Sequence, residues 1–209
     1  MCHEAIIDLY ERHAHDYDED RSRKLEERDW LDRFLEHVDS TEPIVDLGCG
    51  VGEPIARYLI GRGYRVLGVD SSPTMIEICR GRFPEGTWLV GDMRRLRLER
   101  RFAGVVAWDS FFHLHRDDQR RMFERFAALA LPGAPLLFTS GTSEGEAIGS
   151  YHGEPLYHGS LDSAEYEQLL GANDFSIEDH VVNDPRCGLH TIWLATYEAG
   201  SGKAANHDD

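Results

Sequence analysis

Four aspartates close four apolar runs. Asp46 follows Ile44-Val45, Asp70 follows Val66-Leu67-Gly68-Val69, Asp92 follows Trp88-Leu89-Val90-Gly91, and Asp109 follows Val105-Val106-Ala107-Trp108. Just past Asp46 the chain places Gly48, Gly50 and Gly52, then Glu53-Pro54. Branched apolar residues, a glycine-rich turn and a proline suited to the first helical position predict strand, tight turn and helix. Glycine lets the backbone take positive φ and approach a ligand closely. The helix points its free N–H groups back at the turn. This arrangement suits a polar, adenosine-sized ligand over the strand's carboxyl end. A dinucleotide fingerprint needs a third glycine where Glu53 stands. A carboxylate there would repel a pyrophosphate, so a ligand with an amino group or other cation is the better match.

These residues need a frame. Strands are expected at 44–48, 65–70, 87–92, 102–109 and 135–139. Helices are expected between them at 53–61, from the Ser72 cap and Pro73 to about 83, and at 117–130. The alternation implies β-α-β units and a parallel sheet, whose ligands bind at the carboxyl ends of the strands. Asp46, Asp70, Asp92 and Asp109 all fall at that edge. Ahead of the sheet, residues 3–18 and 24–38 read as two helices forming a cap over 1–39. Behind strand 135–139 runs a long polar loop, 140–160, with Tyr151, His152, Tyr157 and His158; a loop of this length in a compact domain points to function. A helix at 163–170 follows, with Asp162 and Glu165 as a capping pair. Strands at 176–182 and 190–197 then form a hairpin, and 198–209 is a flexible tail.

Composition narrows the partners. The 209 residues carry 22 Lys and Arg against 38 Asp and Glu, a net charge of −16. Phosphate binding needs a basic face, so nucleic acid is not expected as a partner, nor is an anionic membrane surface. Cys2, Cys49, Cys79 and Cys187 are scattered, which suggests neither a zinc site nor a disulfide framework and fits reduced thiols in the cytoplasm. No signal-peptide pattern or membrane-length apolar run is seen. A monomer or homodimer is expected.

Taken in order, Val45-Asp-Leu-Gly-Cys-Gly-Val-Gly52, Gly68-Val-Asp-Ser-Ser-Pro-Thr-Met75, Gly91-Asp-Met93 and Trp108-Asp-Ser-Phe-Phe-His-Leu114 resemble the signatures of class I S-adenosylmethionine-dependent methyltransferases over about residues 40–197. The resemblance implies a Rossmann-like α/β fold with a seven-stranded sheet of order 3-2-1-4-5-7-6, its last strand antiparallel and helices on both faces. The cofactor it implies is S-adenosyl-L-methionine. Gly48, Gly50 and Gly52 would pass along the methionyl part, with Asp46 near its ammonium and Trp108 approaching from the fourth strand. Asp70, with Ser71 beside it, would take the ribose hydroxyls. Asp92 and the Met93 N–H would meet adenine, with Met75 packed on the ring. The N-terminal helices and the 140–160 loop would form the substrate lid.

Methyl transfer is an in-line displacement in which the cofactor brings reactivity and the protein brings alignment. A base is needed only where the nucleophile must lose a proton. The candidates are His113, Asp109, His152 and Tyr17, with His115 and His158 as further histidines. His113 stands just beyond the fourth strand, where an imidazole could accept a proton near neutral pH. The pair His113-x-His115 invites a metal, yet Asp109-Ser110 lacks the carboxylate and Asn pattern of metal-dependent relatives, so no metal is expected at the site. The cluster Arg94, Arg95, Arg97, Arg100, Arg101 reads as a solvated face. A small-molecule substrate is expected, with Tyr10, Tyr17, Phe111, Phe112, Tyr151 and Tyr157 as lining. The alternatives are a non-catalytic sensor of the cofactor or its product, S-adenosylhomocysteine, and a nicotinamide oxidoreductase, which Glu53 disfavours.

Overall fold

In the computed structural model, residues 5–39 and 41–199 are described; Cys2, the start of the first expected helix and most of the C-terminal tail lie outside them. The chain opens with α1 (Ala5–Arg12), α2 (Ala14–Asp20) and α3 (Arg28–Glu36). It continues β1 (Ile44–Leu47), α4 (Ile55–Gly61), β2 (Val66–Asp70), α5 (Pro73–Arg82), β3 (Thr87–Val90) and β4 (Gly104–Ala107). After a 3-10 turn at Phe111–His113 come α6 (Arg116–Leu129), β5 (Pro135–Ser140), β6 (Gly145–Tyr151), β7 (Glu154–Ser160), α7 (Ser163–Ala172), β8 (Phe175–Asp184) and β9 (His190–Tyr197).

Seven strands form one sheet in the order β3-β2-β1-β4-β5-β9-β8. β1 to β5 are parallel, and β9 runs antiparallel to both β5 and β8. This is the expected topology, with the numbering shifted because β6 and β7 pair separately as a hairpin. The hairpin replaces the expected 140–160 loop. Its polar, glycine-rich sequence hid the pairing, because few of its side chains are buried and the apolar alternation is weak.

Strand alternation builds two core layers. Val45 and Leu47 of β1, Val105 and Ala107 of β4, and Leu136 and Phe138 of β5 share one cluster with Phe123 and Phe126 of α6 and Tyr166 of α7. Ile44, Val106 and Leu137 point the other way, into a cluster with Trp30 and Phe34 of α3 and Leu59 of α4. Side chains set the starts of α5 and α7. The Ser72 hydroxyl accepts from the Met75 N–H at 3.1 Å with Pro73 following, and the Asp162 carboxylate accepts from the Glu165 N–H at 2.7 Å.

Three expectations about helices are corrected. The helix expected over 3–18 breaks at His13, which takes the N-cap position of α2 at non-helical backbone angles and makes no side-chain cap bond. The helix expected to begin at Glu53 begins at Ile55, with Pro54 as its N-cap after a cis peptide bond. Helix α6 starts at Arg116 because His115 caps it, its Nδ1 accepting from the Asp117 N–H at 3.3 Å.

Candidate active site

A cleft lies over the carboxyl ends of β1, β2 and β4, roofed by α1 and α2, and holds about 740 Å³ of empty space including its open mouth. Its floor is the turn after β1. Gly48 and Gly50 have φ of +77° and +53°, and both line the cleft. A Cβ on Gly48 would sit 2.2 Å from Ser110 Cβ, and one on Gly50 would sit 3.1 Å from the Tyr17 ring. Gly52, also at positive φ, faces Phe83 in the core and does not line the cleft.

Asp70 closes β2 at the cleft wall. Its Oδ2 accepts the Gly50 N–H at 2.9 Å and its Oδ1 accepts the Ser72 N–H at 2.9 Å. Burial raises its pKa, and the backbone donors offset only part of that. Ser71 and Met75 stand beside it. Asp92 and Met93 line the far side. Arg94 grips Asp92 through its backbone N–H at 2.9 Å and through Nε and Nη2, and its Nη1 reaches Asp118 at 3.4 Å. Burial pushes the Asp92 carboxyl up, but the guanidinium outweighs it and holds the group below its ordinary range. Arg94 is therefore a cleft residue, a correction to the solvated-face expectation.

Asp46 and Trp108 do not line the cleft. Asp46 is buried in β1, and its pKa is pushed up to about 7 by burial and by the neighbouring Asp70. Trp108 packs in the core against His190. Glu53 also turns inward, where Arg57 neutralises it at 2.8–2.9 Å, so it presents no bare carboxylate to a ligand.

The expected bases have different fates. His113 lines the cleft, donating from Nδ1 to the Tyr157 carbonyl at 2.9 Å while Nε2 accepts the Tyr10 hydroxyl at 3.0 Å. Burial lowers its pKa to about 4, so it is a neutral imidazole of weak basicity, and proton uptake near neutrality is not supported. Tyr17 lines the cleft, but burial drives its ionisation upward and keeps it a phenol at neutral pH. Asp109 lines the cleft at φ +49°, its N–H donating to Thr139 Oγ1 at 2.9 Å. Arg21 donates to its Oδ2 at 3.2 Å, and His190 Nε2 stands 2.8 Å from its Oδ1. Burial would raise the Asp109 pKa; His190 and Arg21 bring it down instead, and the same contact pushes His190 up to about 11. His152 is not in the cleft. It sits at the hairpin tip, with Nε2 2.9 Å from Asp20.

Of the expected aromatic lining, Tyr10 and Tyr17 belong to the cleft, whereas Phe111 is part of the core and Phe112 packs against His158. Sequence reasoning missed Ile6, Ile7, Arg94, Ser110, Leu114 and the supports Arg21 and His190. Arg94 is two residues from Asp92 and was legible as a neighbour. His190 meets Asp109 only because β9 lies beside β5, and nothing local announces that.

Sheet order, glycine turn and cleft together give the Rossmann-like fold of class I S-adenosylmethionine-dependent methyltransferases. Residues 44–133 match the family model described as a methyltransferase domain. The chain is 35% identical over 98 residues to a dTDP-3-amino-3,6-dideoxy-alpha-D-glucopyranose N,N-dimethyltransferase from Streptomyces fradiae; that match covers 46% of this chain and spans 38% of the relative. Among solved structures, a S-adenosylmethionine-dependent methyltransferase from Clostridium acetobutylicum superposes with a TM-score of 0.71 at 15% identity, covering 91% of this chain and 99% of that one. CalS10, an amino pentose methyltransferase from Micromonospora echinaspora, gives 0.68 at 17% identity over 88% of this chain and 95% of that one.

Proposed function

We propose that the chain transfers a methyl group from S-adenosyl-L-methionine to a small-molecule nucleophile. The observation that carries this is the cradle joining two turns. Gly48 and Gly50 line the cleft at positive φ, where a Cβ would press on Ser110 or the Tyr17 ring, and the Gly50 N–H pins the Asp70 carboxylate at the cleft wall. Gly48 and Gly50 would hold the methionyl part, Asp70 the ribose hydroxyls, and Asp92 with Met93 and Met75 the adenine. Asp46, Gly52 and Trp108 would act from behind the cleft by shaping the turn and strand ends.

When bound, the cofactor supplies an electrophilic methyl group. The protein's part is to align the acceptor for in-line attack and keep water out, with Ile6, Ile7, Tyr10 and Leu114 as the apolar cover. No strong, uncommitted base reaches the cleft among the described residues: His113 is weakly basic, Tyr17 is protonated, and Asp109 is held between two cations. A free-base amine suits such a site, because its lone pair attacks with no proton removed in the methyl-transfer step, and the ammonium product then releases its proton to solvent. The Streptomyces fradiae and Micromonospora echinaspora relatives are named for amino sugar substrates, which supports the same reading.

Calorimetric titration with S-adenosylhomocysteine, with NAD in parallel, tests the cofactor. Micromolar binding of the first alone is expected, and Asp70→Ala should weaken it by about 2–4 kcal/mol, the effect of losing a charged hydrogen-bonding partner. Unchanged affinity in that variant would refute the ribose assignment. A panel of amines and alcohols then tests the acceptor, and turnover confined to alcohols would sink the amine reading.

A further inference from the structure

At the outer rim of the cap, two loops bring together side chains that the proposed methyl transfer does not use. His13 stands at the break between α1 and α2, and Asp16 lies one turn into α2. His152 stands at the tip of the β6–β7 hairpin, in a left-handed conformation at φ +48° that a non-glycine residue seldom takes. One ligand atom from each of the three lies within 4.8 Å of the others. His13 Nδ1 is 2.8 Å from Asp16 Oδ2, and His152 Nδ1 is 4.0 Å from the same oxygen. The two imidazoles stack with centroids 5.0 Å apart.

The outward nitrogens carry the stronger argument. His13 Nε2 is 2.8 Å from Glu154 Oε1, and His152 Nε2 is 2.9 Å from Asp20 Oδ2. Each ring thus offers its far N–H to a carboxylate and turns its Nδ1 toward Asp16. A carboxylate behind each histidine is the arrangement that orients imidazole ligands and raises their basicity at metal centres.

We propose that His13, Asp16 and His152 bind a divalent cation of the zinc type through two Nδ1 atoms and one carboxylate oxygen, with Glu154 and Asp20 as supporting carboxylates. On binding, His13 Nδ1 releases to solvent the proton it shares with Asp16 and offers its lone pair. Nitrogen and carboxylate ligands at about 2.0–2.2 Å suit zinc, and a fourth position remains for water. Closing the ligands from their present separations takes side-chain rotations of the exposed Asp16 and His152 about the half-buried His13.

The ion would staple the N-terminal cap to the hairpin. Tyr151, next to His152, packs against Tyr10 at 6.0 Å, and Tyr10 bonds His113 in the cleft. Fastening this corner holds that wall of the cleft closed, whatever ligand the cleft takes.

The test is calorimetric titration of the chelator-stripped full chain with Zn²⁺, backed by the visible spectrum of bound Co²⁺. One ion per chain is expected. His152→Asn keeps a residue that tolerates left-handed backbone and should abolish binding without unfolding the protein. Glu154→Gln and Asp20→Asn, which touch no metal, should each weaken affinity about 10–100-fold. His15→Ala, on the exposed face of α2, should leave it unchanged. Zinc should also slow proteolysis at the hairpin tip in the parent chain and not in His152→Asn. Absence of binding, binding that survives His152→Asn in a folded variant, or binding lost on Cys2→Ser would each overturn the proposal.

Discussion

Asp109 shows how a single residue depends on partners far away in the chain. Its carboxylate is buried and would be costly alone, but Arg21 and His190 flank it. The pair is partly exposed and Arg21 stays beside Asp109, so His190→Gln should lower the unfolding free energy by about 1–3 kcal/mol, the range of a charged hydrogen bond. The pH dependence has a definite sign. His190 titrates higher in the folded chain, at about 11, than its ordinary 6.5, so its contribution is complete below pH 6.5 and fades as pH rises toward 11. Urea denaturation of parent and variant at pH 6 and pH 10 should show the gap between them shrinking at the higher pH; a constant gap would mean that His190 acts by packing alone. His113 has the opposite sense. Its folded pKa of about 4 lies below 6.5, so the stability tied to its neutral form is lost as pH falls through that interval.

At the scale of elements, the turn after β1 and the cap helix α1 govern access to the cleft. Gly48→Ala puts a Cβ against Ser110 at a backbone angle that alanine resists. Strain and overpacking of this kind cost about 2–3 kcal/mol, and a calorimetric scan should show a matching loss together with loss of S-adenosylhomocysteine binding. Helix α1 is tied to the start of α5 by Glu11. That carboxylate accepts from the Thr74 hydroxyl at 2.7 Å, the Thr74 N–H at 3.2 Å and the Ser72 hydroxyl. Glu11→Ala should release this tether. Hydrogen exchange in residues 5–12 is expected to rise while exchange in the sheet strands stays as it was. Faster exchange throughout the sheet would show that α1 belongs to the global folding unit.

Across the whole molecule, the net charge of −16 sets a uniform repulsion that local pairs do not remove. Salt screens such repulsion between exposed groups over about 10 Å at 0.1 M. Raising sodium chloride from low ionic strength toward 0.5 M is therefore expected to increase stability by about 1 kcal/mol, roughly 2–4 °C in melting temperature for a chain of this size. A fall in melting temperature would mean that the surface ion pairs outweigh the net repulsion. Among the described residues no helix is long and apolar enough to cross a bilayer.

The alternation of apolar strands with helices, the glycine turn after Asp46 and the acids at strand ends were all legible in the linear chain, because each depends on backbone preference and burial period within a few residues. They determined the sheet, its order by resemblance, and the cleft's place at the carboxyl ends of the strands. Other facts only the tertiary structure decided. Asp46 and Gly52 share the glycine motif yet turn away from the cleft, since a strand's period and the packing of Phe83 direct them inward. His113 carries an ordinary histidine sequence context, but desolvation and the Tyr10 and Tyr157 contacts leave it neutral. His152 reads from sequence as a possible base and lies instead at a hairpin tip beside His13 and Asp20, because β6 pairs with β7 and carries it to the rim. Charge state and facing are set by neighbours distant in the chain, and those neighbours are known only once the sheet has folded.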